Sequence, residues 1–187
     1  MDNHTQKVLI LTYYWPPGGG AGVQRWVKFA RYMKNFGYEP VVLTVDPQKA
    51  SYALLDASLE EEVRDVEVVR TGTFEPFRVY KKLLGKKEIP YAGFANEGKP
   101  GTMEKVSRFI RGNFFIPDAR KGWNRYALPV ARELIKKYHI RHLVTTSPPH
   151  STQLMGLKLK AEFNLNWMAD LRDPWTDIYY YPLLFHT

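Results

Sequence analysis

Lys7-Val8-Leu9-Ile10-Leu11-Thr12-Tyr13-Tyr14-Trp15-Pro16-Pro17-Gly18-Gly19-Gly20-Ala21-Gly22-Val23-Gln24-Arg25-Trp26 decides how the rest of the chain is read. Val8 to Leu11 is short and continuously apolar, the pattern of a parallel strand covered on both faces. Val23, Trp26, Val27, Ala30 and Met33 then recur at helical spacing, with Arg25, Lys28, Arg31 and Lys34 mostly off that stripe. Between strand and helix stand Gly18, Gly19, Gly20, Ala21 and Gly22. Glycines let a ligand approach backbone N–H groups closely, and a helix start adds partial positive charge. The stretch predicts strand, ligand-binding loop and helix, in that order. A flexible turn that binds nothing would use the same residues.

Two familiar loops fail on spacing. A dinucleotide fingerprint, G-x-G-x-x-G, beginning at Gly18 needs glycine where Val23 stands, and beginning at Gly20 needs it where Arg25 stands. A P-loop ends in Gly-Lys-Ser/Thr, whereas Gly22 is followed by Val23 and Gln24.

Composition bounds the class. A chain of 187 residues holds one domain with a real core, or one domain plus an insertion. With no cysteine there is no disulfide framework, thiolate zinc site or cysteine nucleophile. The start Met1-Asp2-Asn3-His4-Thr5-Gln6-Lys7 lacks a signal-peptide pattern, and no apolar run reaches membrane-spanning length, so a cytoplasmic location is expected. Charge is uneven. Between Pro76 and Arg125 twelve basic residues face four acidic ones, a surplus of eight that equals the formal net charge of the whole chain. Such a segment suits an anionic partner, whether phosphates, a lipid surface or nucleic acid; a solvated face is the plainer reading.

Strands and helices alternate along the rest. Gly37 is a C-cap for the first helix, and Pro40 to Val45 reads as the second strand. Asp56 to Val63 is a short helix and Val66 to Arg70 a third strand. Phe77 to Leu84 looks helical, and Gly85 to Thr102 carries the composition of a loop or mobile insertion. Met103, Val106, Phe109 and Ile110 line one face of a basic amphipathic segment. Trp123 to Tyr138 is a helix whose Pro129 argues for a start near Leu128 or a kink. Strands His142–Thr146 and Asn166–Ala169 follow, joined by a helix from about Pro148 to Glu162. The alternation predicts an α/β domain with a Rossmann-like, doubly wound parallel sheet, in which the first and fourth strands are neighbours.

In such sheets ligands bind beyond the carboxyl ends of the strands, where strand order reverses. Three predicted strands end in unusual sequences: Pro16 to Gly22, Thr145-Thr146-Ser147-Pro148-Pro149-His150-Ser151, and Asp170-Leu171-Arg172-Asp173-Pro174-Trp175. Side by side they would put Gly20, His150 and Asp170 along one rim. Ser147 is a plausible N-cap with Pro148 at the first helical position, which sets His150 in the first turn, its pKa lowered by the helix start. A histidine there is equally a structural hydrogen-bonder or a site residue. Asp170, Arg172 and Asp173 can bind sugar hydroxyls or pair among themselves. Mixed use is expected, with one acid structural and one near the ligand.

These three motifs together resemble the N-terminal domain of glycosyltransferase family 4, especially members from bacterial surface-polysaccharide clusters. The resemblance covers most of the chain and is weakest from Gly85 to Thr102. It implies one half of a GT-B fold: residues 1–187 would form the acceptor-side domain, with a basic mobile insertion around 76–125. It also implies a partner C-terminal domain, absent from this chain, that binds most of the nucleotide-sugar through a Glu-x7-Glu element. The implied reaction is retaining sugar transfer from a nucleotide diphosphate to a glycan or lipid-linked acceptor, with no cofactor and no metal, and with the chain inactive without its second domain. Carried over by position, Gly18, Gly19, Gly20, Ala21 and Gly22 border the donor phosphates and acceptor, and Arg25 is expected among the substrate-binding residues. His150 matches an active-site histidine near the donor sugar. Asp170, Arg172 and Asp173 match a segment whose separate roles the resemblance does not assign.

Two alternatives stand beside this. One is a Rossmann-type dinucleotide enzyme with Asp46, after the second strand, as the ribose-binding acid; it leaves two motifs unexplained. The other is a nucleic-acid module built on the basic segment, which leaves the glycine loop idle and carries no recognisable nucleic-acid motif, so no nucleic-acid partner is expected. The basic segment has a further reading. Phe77–Leu84, Met103–Ile110 and Phe114-Phe115-Ile116, with Lys81, Lys82, Lys105, Arg108 and Arg111, form a basic amphipathic surface suited to an anionic membrane, so that the protein would sit at the inner face of the cytoplasmic membrane.

Overall fold

The computed structural model describes residues 5–76, 102–177, 181–184 and 187. Five parallel strands form its centre: β1 (Gln6–Leu11), β2 (Tyr38–Val45), β3 (Glu67–Thr71), β4 (His142–Thr146) and β5 (Asn166–Asp170), in the order β3-β2-β1-β4-β5. The predicted β1–β4 pairing is present, and strand order reverses between these two. This is a Rossmann-like sheet.

β1, β2 and β4 contribute alternate side chains to two cores. Val8, Ile10, Val42 and Val144 pack with Val23, Trp26, Val27 and Ala30 of helix α1 (Ala21–Met33) and with Leu59 of α2 (Ser58–Glu62). Leu9, Leu11, Leu43 and Leu143 pack on the other face against Ala127, Ala131 and Leu134, and against Met155 and Leu159. Those residues lie on α4 (Asn124–Tyr138) and α5 (Thr152–Phe163); a helix α3 (Thr102–Phe114) precedes them. Both faces of β1, β2 and β4 are covered, which is why Val8–Leu11 and Val41–Leu43 are unbroken apolar runs.

Three expectations change. The helix around Pro129 starts at Asn124 and runs through the proline, because burial of Ala127, Ala131, Leu134 and Ile135 outweighs one lost backbone bond. The helix expected from Pro148 starts at Thr152, with Ser151 as N-cap. Ser147 and Pro148 both precede prolines, which disfavours the helical region for each, and the Ser147 hydroxyl is used elsewhere. His150 therefore precedes the helix. Gly37 does close the first helical segment, at φ 78°, after a 3-10 turn over Lys34–Phe36. The expected helix Phe77–Leu84, and the loop from Gly85 up to α3, lie outside the described residues.

Candidate functional site

Parallel registers bring the motif-bearing strand ends to one level. Leu11 lies opposite Thr145, and Thr146 opposite Asp170, so Gly20, His150 and Asp170 follow strands that end on the same rim.

The glycine loop is partly a structural device. Gly18 N–H donates to Trp15 O and Gly19 N–H to Leu54 O, each at 2.9 Å, and Asp56 N–H donates to Pro17 O at 2.7 Å. The loop is thus stitched to residues 54–56, and the first two glycines have already spent their N–H groups. Gly20, at φ 102°, turns the chain into α1, and its carbonyl accepts from Val23 and Gln24 N–H at 3.0 Å. Gly20, Ala21 and Gly22 N–H have no backbone acceptor among the described residues, as expected at a helix start. These three N–H groups, with the helix dipole, are the positively polarised part of the loop.

Asp170 is the hub of the rim. Its Oδ2 accepts from Trp26 Nε1 at 2.8 Å, from Thr146 Oγ1 at 2.7 Å, and from the Arg25 guanidinium. Burial pushes the Asp170 carboxyl pKa up, but the Thr146 and Trp26 hydrogen bonds and the Arg25 charge outweigh it and hold it below the usual carboxylate value. Arg25 and Asp170, both expected near substrate, are thus bound to each other, tying α1 to β4 and β5. The internal Asp170–Arg172 pairing does not form.

Arg172 instead lies across the start of α1: a Cβ on Gly22 would overlap its guanidinium. This close approach gives Gly22 its physical reason to be glycine. Ser147 Oγ accepts from Arg172 N–H at 3.3 Å and fixes the chain after β5 beneath the guanidinium. Asp173 Oδ2 is 3.8 Å from Arg172 Nε; its residue is exposed and sits in the left-handed region at φ 60°. Asp173 is the acid left facing solvent, whereas Asp170 is bound within the rim.

His150 is half-buried and stacked on Trp175, with ring centroids 6.0 Å apart and planes 23° from parallel. Burial lowers its pKa, offset in part by the Asp118 and Asp173 charges. The expected shift is present, but burial rather than a helix start causes it.

Two groupings escaped the sequence. Asp118 accepts from Ser151 N–H at 2.7 Å and Ser151 Oγ at 3.0 Å, holding the start of α5 beside His150. Behind the loop, the buried Glu75 carboxylate pairs with Arg120 at 2.7 Å and accepts from Ser51 N–H at 3.1 Å and from the Tyr13 hydroxyl. Burial, with the Glu75 charge, pushes the Tyr13 hydroxyl pKa up. Spacing in sequence gave no signal for either, since they join residues 24 to 62 positions apart.

Other expected residues divide as follows. Lys105 is exposed on α3, but Arg108 is buried, which corrects its assignment to a membrane-facing surface. Arg111 lies in α3, while its side chain, and Lys81 and Lys82, are outside the described residues. Asp46 accepts from Gln48 N–H at 3.0 Å and pairs with Lys49 at 3.6 Å, so its carboxylate is engaged locally. Among the described residues no cluster of His, Asp or Glu is arranged to hold a metal, and no helix is long and apolar enough to cross a membrane. A surface groove of about 490 Å³, lined by Val8, Tyr38, His142 and Trp167, lies at the opposite ends of the strands and includes none of the three motifs.

No family model matches the chain, and no curated protein does. Among solved structures it is similar to a glycosyltransferase from Rickettsia africae ESF-5, with a TM-score of 0.40 and 15% identity. The match covers 88% of this chain and 29% of that one, so this chain spans under a third of that protein's length.

Proposed function

We propose that this chain is the acceptor-side domain of a retaining glycosyltransferase that moves a sugar from a nucleotide diphosphate to a glycan or lipid-linked acceptor in surface-polysaccharide synthesis. The observation that carries the reading is the convergence of Gly20–Gly22, His150 and Arg172–Asp173 on one rim where strand order reverses. The N–H groups of Gly20, Ala21 and Gly22, the α1 dipole and the Arg172 guanidinium offer positive charge to a diphosphate. His150, neutral at pH 7, offers a hydrogen bond to a sugar hydroxyl, and Asp173 offers a carboxylate acceptor to another. Asp170 and Arg25 hold the rim in shape. A second domain supplies most of the donor site, so transfer needs both.

Calorimetric titration of the 187-residue chain with UDP- and GDP-sugars, NAD and a single-stranded oligonucleotide tests this. Because most of the donor site belongs to the second domain, weak binding through the diphosphate is expected, with a nucleotide-sugar alone, and it falls about tenfold further in Arg172→Ala, the loss of one charge-assisted contact. Preferential binding of NAD or of the oligonucleotide would refute the reading in favour of the corresponding alternative.

A further inference from the structure

Trp175 is the tryptophan that folding leaves out. Trp15, Trp26 and Trp123 are 1%, 2% and 0% exposed and Trp167 is half-buried, whereas Trp175 is 47% exposed. Trp26, Trp123 and Trp167 donate their indole N–H to Asp170, Thr71 and Thr145. Trp175 has no such acceptor among the described residues. An indole is a large apolar plane with one polar edge, and folded chains bury most of it. This one is held in the open. Arg172 N–H donates to Ser147 Oγ at 3.3 Å, and Asp173 then bends the chain in the left-handed region at φ 60°. Pro174, next in line, fixes its own φ. His150 stacks on one face of the indole, with planes 23° from parallel, and the opposite face meets solvent. Charge changes sign across the rim. At the start of α1 stand the Gly20–Gly22 N–H groups and the Arg172 guanidinium, while the Asp118 and Asp173 carboxylates act on His150. The Asp173 side chain stays 51% exposed despite its 3.8 Å contact with Arg172.

We propose that the open face of Trp175 is the platform for an uncharged pyranose of the acceptor, its C–H face on the indole and a hydroxyl donating to Asp173. The inference rests on the glycosyltransferase reading and assigns to it a class of acceptor. A pyranose carries several C–H bonds on one face of its ring and hydroxyl donors around the edge. An aromatic plane beside a carboxylate matches both, and the free indole N–H can donate to a ring substituent. Aromatic faces also stack nucleobases. A nucleotide, however, brings phosphates, which Asp118 and Asp173 repel and which the start of α1 attracts. The donor diphosphate therefore takes the cationic end of the rim, and the acidic, aromatic end is left to the acceptor. The same carboxylates select against a uronic acid or a phosphorylated sugar, because a like charge there has no partner.

Saturation-transfer difference NMR on the 187-residue chain tests the platform. The probes are the methyl β-glycosides of glucose, galactose and N-acetylglucosamine, with methyl β-glucuronide as the charged counterpart. Saturation is expected for at least one neutral glycoside, concentrated on the protons of one ring face, and not for the glucuronide. Trp175→Ala should weaken binding at least about tenfold, through loss of a large flat apolar contact. Trp175→Phe, which keeps a smaller ring, should weaken it only about threefold. The side chain is exposed, so thermal unfolding of both variants should match the parent chain. Saturation that is absent for every glycoside, even over both ring faces, as strong for the glucuronide, or unchanged in Trp175→Ala overturns the proposal. So does displacement of the glycoside by UDP-glucose, which would give the platform to the donor sugar. Glycoside binding is read without nucleotide, so its failure and the failure of the glycosyltransferase reading are told apart.

Discussion

Replacing Asp170 should cost more stability than its half-buried place at the rim of the sheet suggests. Its Oδ2 satisfies the indole N–H of Trp26, a residue only 2% exposed, as well as Thr146 Oγ1 and Arg25. A hydrogen bond to a charged acceptor contributes about 1.5–3 kcal/mol, and a buried donor left without a partner costs about 1–3 kcal/mol. The Thr146 hydroxyl can rotate to another acceptor, and the Arg25 pair, with Arg25 37% exposed, contributes no more than about 1 kcal/mol. Asp170→Ala should therefore lose about 3 kcal/mol, most of it at Trp26. For a chain of this size that is roughly 6–12 °C in Tm. Asp170→Asn, which keeps an acceptor but no charge, should lose about half as much. The sign with pH follows from the lowered folded pKa: the carboxylate stabilises fully above its unfolded value, and the benefit fades as pH falls through the folded one. The gap between parent and Asn variant should thus be constant at neutral pH and close below about pH 4. Urea unfolding at several pH values, with a double-mutant cycle to Trp26→Phe, measures both. A loss under about 0.5 kcal/mol for Asp170→Ala would show that the hub is not holding β5 to α1.

Two glycines should respond oppositely to alanine. At Gly22 the new Cβ meets only the mobile end of Arg172, so thermal unfolding should change by less than about 1 kcal/mol while nucleotide-sugar affinity falls. At Gly156 it meets the Trp167 ring, which is fixed by its own bond to Thr145 Oγ1 at 2.8 Å, and a loss of about 1–3 kcal/mol is expected. For His150, a proton NMR titration should give a midpoint below 6.5, moving up toward that value in Trp175→Ala as the ring is exposed. Because folding lowers this pKa, His150 contributes stability above about pH 6.5 that is lost as the solution is acidified.

The backbone plan was legible because its signals are local. Val8–Leu11 reads as a strand from its unbroken apolar run, and the stripe Val23, Trp26, Val27, Ala30 is the buried face of α1. Alternation of these elements implied a parallel sheet with β1 beside β4, and hence which loops share a rim. Which groups on that rim face a ligand was not legible. Gly18 and Gly19 look like ligand donors in sequence, yet their N–H groups are taken by Trp15 and Leu54. Arg25 and Asp170, 145 positions apart, neutralise each other, while Arg172 passes Asp170, keeps a 3.8 Å contact with Asp173 and lies over Gly22. Arg108 reads as a surface cation and is buried. Hydrophobic periodicity is a property of a dozen consecutive residues, so the sequence by itself determined the elements and their order. The partner of a charged or polar group is set by which strand ends meet after folding, and only the tertiary structure decided that.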